Sequence, residues 1–349
     1  MLTYQIIRIF ALSTIAFLVA FVWAPLLTDW LYKNHLSKTI RDSGSTPIFS
    51  RLHKSKAGTP TMGGILVWVT TAILVLVIAF LAKITHSPLW EGLNLLSREQ
   101  TYLPLGVLVA SAIVGFVDDL LNVKKIGPNG GGLSVKHRLF LYTLIAVVGA
   151  WWFYSKLEWD LIHIPFLGDF NIGFWYVPLF IFVLVATSFS VNETDGLDGL
   201  AGGVLLIAFA AFGVIAFIQG RFDLACLCGV IGGSLAAFLW FNIYPARFFM
   251  GDTGTMSLGI TLAIIAMLTN TFLLLPIIGS ILVIESLSVI IQVASKKIRK
   301  KKVFLSSPIH HHLEAIGWPE PKIVMRFWLI SGITALIGLI IFLTESIVG

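Results

Sequence analysis

The sequence predicts an all-α, polytopic integral membrane protein with about ten transmembrane helices, and three observations carry that reading. Of 349 residues, 57% are hydrophobic and only 12% are charged, where a soluble domain has about 25% charged. The mean hydropathy is +0.91. The apolar residues also gather into runs of about twenty, the length that crosses the hydrocarbon core as a helix. A water-soluble protein is excluded. Residues 1–349 read as a single membrane-embedded domain, because no long polar stretch remains between the runs.

By that length rule the spans fall at 5–31, 62–82, 102–121, 138–156, 174–191, 199–219, 223–243, 257–273, 276–295 and 324–345. The first is longer than the apolar core of a signal peptide and lacks a small-residue cleavage site after it, so it reads as a span. The gaps 192–198 and 220–222 read as tight hairpins. The outer loops 83–101 and 157–173 hold Trp90, Trp159, Asp160 and Asp169, the mix expected of interfacial anchors. Cys226 and Cys228 are two apart in one apolar run and point to different helix faces, which disfavours both a disulfide and a metal pair.

The net charge of +6 is read by position. Lys33, Lys38, Arg41, Arg51, Lys54 and Lys56 lie in the first loop, Lys124, Lys125, Lys136 and Arg138 in the third, and Arg247 in the seventh. Lys296, Lys297, Arg299, Lys300, Lys301, Lys302, Lys322 and Arg326 lie in or beside the ninth. The even loops and the ends carry only Arg8, Lys83, Arg98, Lys156 and Arg221. Basic residues mark the cytoplasmic side. Odd loops are therefore expected in the cytoplasm, near 32–61, 122–138, 192–198, 244–256 and 296–323, with both termini periplasmic. These basic residues set topology, and nucleic acid is not an expected partner.

Five polar clusters fall on that face. Lys56 to Gly64 opens the second span; Thr59 and Thr61 can cap a helix start, and exposed backbone N–H groups there suit an anion. Asp118 and Asp119 are adjacent near a helix C-terminus, where the dipole disfavours negative charge. A divalent cation relieves both penalties, and so does a lysine (Lys124, Lys125 or Lys136). Between two apolar runs, Asn192, Asp195 and Asp198 share a face if the turn is helical, with Gly196 and Gly199 giving close backbone access. In 242–254, Asp252 can cap a helix or present a carboxylate to a metal, Arg247 suits a phosphate and Phe249 can stack on a base. Walker A is excluded, since no lysine stands in Gly254-Thr255-Met256-Ser257. In the ninth loop, His310, His311 and His312 cannot all face one metal from a regular helix, so substrate or polyphosphate contact is the better reading than zinc. Glu285, mid-span, reads as an internally hydrogen-bonded acid rather than a transport residue. Several carboxylates with basic partners on one membrane face suit a Mg²⁺-bound pyrophosphate, since Mg²⁺ takes one or two carboxylates plus phosphate oxygens.

Gly58 to Gly64, Asp118-Asp119, Asn192 to Leu200, Met250 to Gly254 and Pro308 to Glu314 occur here in that order. The ordered set resembles the polyprenyl-phosphate sugar-1-phosphate transferases, and the triple histidine favours their muramoyl-pentapeptide branch. The resemblance implies a bacterial inner-membrane enzyme of cell-wall synthesis that converts UDP-MurNAc-pentapeptide and undecaprenyl phosphate to lipid I and UMP with Mg²⁺, in the lipid bilayer and as a homodimer. It implies that Asp118, Asp119 and Asp252 form the catalytic and metal region. Lys56, Thr61, Lys136, Asn192, Asp195, Gly196, Leu197, Asp198, Asn242, Phe249 and Gln292 then line the nucleoside-sugar site, and His310, His311 and His312 close it. The family's usual lysine three residues after the second aspartate is here Asn122, which leaves Lys124, Lys125 and Lys136 as candidates for the phosphates. Two other classes compete. A GlcNAc-1-phosphate transferase would lack the histidine run; a secondary transporter would carry its acids at mid-bilayer.

Overall fold

The computed structural model describes residues 2–37, 56–98, 100–128 and 131–348. Lys38, Arg41, Arg51 and Lys54 of the first loop lie outside the described residues. The helices are α1 (Leu2–Lys33), α2 (Ile65–Thr85), the short α3 (Pro88–Leu93), α4 (Tyr102–Val123), α5 (Val135–Lys156), α6 (Tyr176–Thr194), α7 (Leu200–Ile218), α8 (Phe222–Asn242), α9 (Gly251–Leu268), the short α10 (Leu275–Ile278), α11 (Ser280–Ile298), the short α12 (Ile309–Ala315) and α13 (Glu320–Val348). Among the described residues nine helices are long and apolar enough to cross a membrane. Phe272–Ile278 and Ser280–Ile298 make a tenth if counted as one broken span.

Three expectations need correction. The ninth span is not one straight helix over 276–295: its two pieces meet at 82°. Gly279 sits at that break as the residue that ends the short helix, while Pro276 stands in that helix's first turn, where its missing N–H is tolerated. The eighth span begins at Gly251 rather than 257. Hydropathy passes over Asp252, Thr253 and Thr255, yet neighbouring helices satisfy these side chains and the stretch folds as buried helix. The all-α expectation is amended by the outer loop 157–173, which contains an antiparallel hairpin of β1 (Leu161–Ile164) and β2 (Gly168–Asn171), with Leu161 opposite Asn171 and Ile164 opposite Gly168. The fold is therefore helical with a small β addition.

Every residue of α9 is buried. It packs chiefly against α4 and α6, with α2 and α7 completing its surroundings. By contrast α1 buries one stripe, Leu12, Ala16, Ala20, Ala24, Leu27 and Leu31. Their spacing follows the helical repeat and puts them on one face. Phe10, Val22 and Leu26 of α1 and Leu329, Leu336 and Ile340 of α13 are exposed, so these helices form the outer, lipid-facing wall. Close approach of α4 to α9 depends on Gly115. A Cβ there would overlap the Asp252 carbonyl group. That contact fixes where Asp118 and Asp119, one turn later on α4, meet the start of α9.

Candidate active site

Asp118 and Asp119 are both fully buried. Neighbours on a helix point about 100° apart, and the two carboxylates accordingly serve different partners. Asp119 Oδ2 accepts the backbone N–H of Thr253 at 3.0 Å, and Thr61 Oγ1 lies 3.5 Å from its Oδ1. The end of α4 thus caps the start of α9, where the dipole favours negative charge. Asp118 Oδ1 accepts the Leu133 N–H at 2.5 Å, and its Oδ2 lies 2.7 Å from Arg138 Nε.

Arg138 is the hub of this cluster. Besides Asp118, its guanidinium approaches Asp252 Oδ2 at 3.5 Å and donates to Asn192 Oδ1 at 3.4 Å. Asn192 in turn donates to Asp252 Oδ1 at 2.6 Å and to Thr255 Oγ1 at 3.0 Å. Side chains from α4, α5, α6 and α9 therefore converge on one buried polar knot. The expected counter-charge was a divalent cation or a lysine. Lys124, Lys125 and Lys136 are all exposed instead, and no ion pair joins them to the aspartates among the described residues. Arg138 was missed as a site residue because it was counted only toward topology. The signal was an arginine at the edge of an apolar run, where a charge calls for a partner.

The stretch 192–198 is not a hairpin throughout, since α6 continues through Thr194. Its polar residues do not share one partner either. Asn192 faces the knot. Asp195 Oδ2 accepts the Gly251 N–H at 3.1 Å. Asp198 accepts the Ala246 N–H at 3.0 Å and pairs with Lys56 Nζ at 2.7 Å. Lys56 also pairs with Glu320 at 2.5 Å, and Glu320 accepts the Asp198 N–H at 2.6 Å. Lys56 is thus committed to two carboxylates, and its Nζ lies 5.8 Å from the Phe249 ring centre. Leu197 is buried and Gly196 partly so.

The anion-binding amides expected at 58–64 are largely occupied. Thr61 N–H donates to Leu36 O, Gly63 N–H to Phe249 O and Gly64 N–H to Met250 O, at 2.7–2.9 Å. Asn242 fastens two loops, accepting from Gly199 N–H at 3.0 Å and donating to Phe248 O at 2.8 Å. Gln292 takes the N–H groups of Val303 and Phe304, both at 3.0 Å, and donates to Phe304 O at 2.9 Å. It thereby shapes the ninth loop.

The three histidines take three different partners. His310 Nδ1 lies 2.9 Å from Glu285 Oε2 in a fully buried pair. His311 Nδ1 lies 2.6 Å from Glu314. His312 Nδ1 accepts the Leu305 N–H at 3.3 Å. Glu285 is hydrogen-bonded internally, in line with its sequence reading. Burial alone would lower the His310 pKa, but the Glu285 carboxylate outweighs it and the value is raised.

Among the described residues no three His, Cys, Asp or Glu side chains converge as a cage for a metal ion. A magnesium–phosphate unit asks for less: one or two hard oxygen ligands. Asp118 and Asp252 meet that in kind. Both are buried carboxylates, and both already lie against one positive group, the guanidinium of Arg138.

Residues 101–270 match the model of glycosyl transferase family 4, and residues 56–66 match the phospho-N-acetylmuramoyl-pentapeptide-transferase signature 1. The phospho-N-acetylmuramoyl-pentapeptide-transferase of Chloroflexus aggregans is 36% identical over 351 residues, covering 97% of this chain and 90% of that protein. The chain belongs to the phospho-N-acetylmuramoyl-pentapeptide-transferase family. Two further proteins of this family are similar over nearly their full length. That of Geobacillus kaustophilus is 40% identical, covering 94% of this chain and 95% of its own. That of Clostridium novyi is 37% identical, covering 93% and 94%. The signature match begins at Lys56 and spans the segment whose backbone bonds to Phe249 and Met250. Within the family-4 match lie Asp118, Asp119 and Asp252, with Arg138 and Asn192.

Proposed function

We propose that this chain transfers phospho-MurNAc-pentapeptide from UDP-MurNAc-pentapeptide to undecaprenyl phosphate, giving lipid I and UMP. The observation that carries the reading is the knot of Asp118, Asp119, Asp252, Arg138 and Asn192 at one end of a membrane-spanning bundle, in a chain of this family. A cytosolic nucleotide sugar and a lipid phosphate can meet only at a membrane face. The bias of basic residues supports a cytoplasmic orientation of that face with both termini outside, and the bacterial relatives support an inner-membrane location.

An oxygen of the lipid phosphate forms a bond to the β-phosphorus of the UDP-sugar. The bond from that phosphorus to the bridging oxygen breaks, and UMP leaves with the electron pair. A phosphate monoester has its second pKa near about 6, so the acceptor is mostly dianionic at neutral pH and needs little help from a general base. Arg138 balances the carboxylates, Asn192 orients Asp252, and Asp119 anchors the helix that carries Asp252. Asp118 and Asp252, with Asp119 beside them, would hold Mg²⁺, which when bound neutralises pyrophosphate charge. Phe249 offers a ring to the uracil, and the ninth-loop histidines cover the nucleotide sugar.

The test is UMP release from UDP-MurNAc-pentapeptide in the presence of undecaprenyl phosphate, with and without Mg²⁺. Asp252→Asn should lower the rate by about a hundredfold or more, the usual worth of one electrostatic group at a reacting phosphate. UMP formed without acceptor lipid in a single turnover would replace direct displacement by a covalent sugar-phosphate enzyme. Release of UMP from UDP-GlcNAc but not from the muramoyl substrate would sink the reading.

A further inference from the structure

The end of the bundle opposite the buried aspartates holds a cavity that the transfer reaction does not use. Helix α9 starts beside Asp119 and runs away from it to Leu268. Around the turn that follows, four segments far apart in sequence enclose about 650 Å³. The hairpin contributes His163 and Phe166, the α7–α8 turn Arg221, the turn after α9 Asn270, and α13 Phe342 and Glu345. These walls are pinned to one another. Gln219 Nε2 donates to Thr269 O at 2.8 Å, the His163 N–H donates to Asn270 Oδ1 at 3.2 Å, and His163 Nε2 lies 2.8 Å from Glu345 Oε1.

One charge in this cavity is left over. His163 lies between Asp169 and Glu345, and Glu345 Oε1 also accepts the Phe166 N–H. Arg221 has no such partner. Among the described residues its guanidinium makes no ion pair and no hydrogen bond, and it lies only over the Trp159 ring, 5.7 Å from the centre. Asp223, two residues on, is committed to Arg8 at 2.8 Å. The Arg221 backbone is held on both sides, its N–H donating to Ala216 O at 2.8 Å and its carbonyl accepting the Ala225 N–H at 3.0 Å. Burial lowers the Arg221 pKa, the mark of a cation whose lost water no anion has replaced. Asn270 spends its side-chain oxygen on His163, which leaves its amide N–H₂ as a second donor beside the same cavity.

The geometry points to a phospholipid site, in which the phosphodiester of a lipid in the leaflet opposite the transfer site sits on Arg221 and Asn270 while an acyl chain lies against Phe166 and Phe342. The planar guanidinium fork matches two phosphate oxygens. The cavity lies where α7 and α9 end, the level at which headgroups meet a spanning bundle. Two apolar rings beside one cation suit a lipid better than a free anion, and α13, which supplies one of those rings, carries the exposed residues Leu336 and Ile340 of the lipid-facing wall. The acids in the cavity do not repel the phosphate outright, since His163 already answers both.

The test is photolabelling of the full-length protein in detergent micelles by a phosphatidylglycerol with a diazirine in its acyl chain, followed by peptide mapping. Wild type should be labelled in the hairpin around Phe166 and in α13 around Phe342. Unlabelled phosphatidylglycerol should compete, whereas diacylglycerol with the same chains and inorganic phosphate should not. Arg221→Gln should weaken labelling of these two segments by about ten- to a hundredfold in apparent affinity, the worth of hydrogen bonds to a charged group. Its melting curve checks that it is folded. Equal labelling of wild type and folded Arg221→Gln would overturn the proposal. So would competition by diacylglycerol, which shows that no headgroup is recognised, or by inorganic phosphate, which makes the site one for a free anion. If Arg221→Gln does not fold, the competition series on wild type decides alone: labelling of both segments that only the phospholipid displaces supports the site, and any other pattern overturns it.

Discussion

The two ends of the bundle each carry a histidine held by carboxylates, under different physical rules. At the site end, His310 and Glu285 are both 0% exposed and 2.9 Å apart. At the hairpin end, His163 lies 2.7 Å from Asp169 and 2.8 Å from Glu345, with side chains 29%, 60% and 18% exposed. The second arrangement has more bonds, and water can replace most of them. The first has one bond that nothing can replace. Partner count is thus a poor guide to energetic weight, and dryness is a better one. The Arg138 knot belongs to the dry class, with Asp118 and Asp252 at 0% and 3% side-chain exposure.

The largest effect should come from Arg138→Ala, which takes the guanidinium from between two buried carboxylates. UMP release should fall by about a hundredfold or more, and a rate near wild type would remove Arg138 from the dry class. Next, Glu285→Ala and Glu345→Ala test the contrast directly. Thermal melting should register a loss of about 3–5 kcal/mol for the first and under about 1 kcal/mol for the second. Equal losses would break the comparison. Gly196→Ala drives a methyl group into the His310 ring, which is buried and cannot swing out. About 1–3 kcal/mol of overpacking is expected, with a raised KM for the nucleotide sugar. The smallest effect concerns pH at the hairpin. Burial lowers the His163 pKa, but its hydrogen bonds to the Asp169 and Glu345 carboxylates more than offset it and the value is raised. The tie to α13 is then fully present below the ordinary histidine value of about 6.5 and is lost as pH rises through the higher folded value. Exchange of the Phe166 amide, which donates to Glu345 at 2.8 Å, should accelerate across that range beyond its intrinsic pH dependence. His163→Gln should flatten the excess.

Spans with a uniformly apolar code were legible from composition and length, because lipid imposes both. What hydropathy could not see were polar residues that tertiary partners satisfy. Gly251 to Met256 falls in a loop by hydropathy and is the first part of the most buried helix, because Asp119, Asp195 and Asn192 answer its polar groups. The site's chemical types were legible too, as acids gathered between spans. Their pairing was not: Asn192, Asp195 and Asp198 look like one ligand face in sequence, yet the first two brace the start of α9 and Asp198 braces Ala246 and Lys56. Lys56 looked like a free positive charge because Glu320 stands far along the chain. Arg138 was hidden by a rule that reads basic residues as topology markers before it asks what they touch.

A helix with neighbours on every side, as α9 has, also limits how the sequence can change length. One residue inserted between Asp252 and Leu268 would turn everything beyond it by about 100° and shift it by about 1.5 Å. Every contact beyond the insertion would be lost, with no lipid-facing side to absorb the mismatch. Helix α1, buried along one stripe only, could bulge outward into the acyl chains at lower cost. Insertions and deletions compatible with folding should therefore collect in the outer wall and the connecting loops, while Gly251–Leu268 keeps a fixed count of residues.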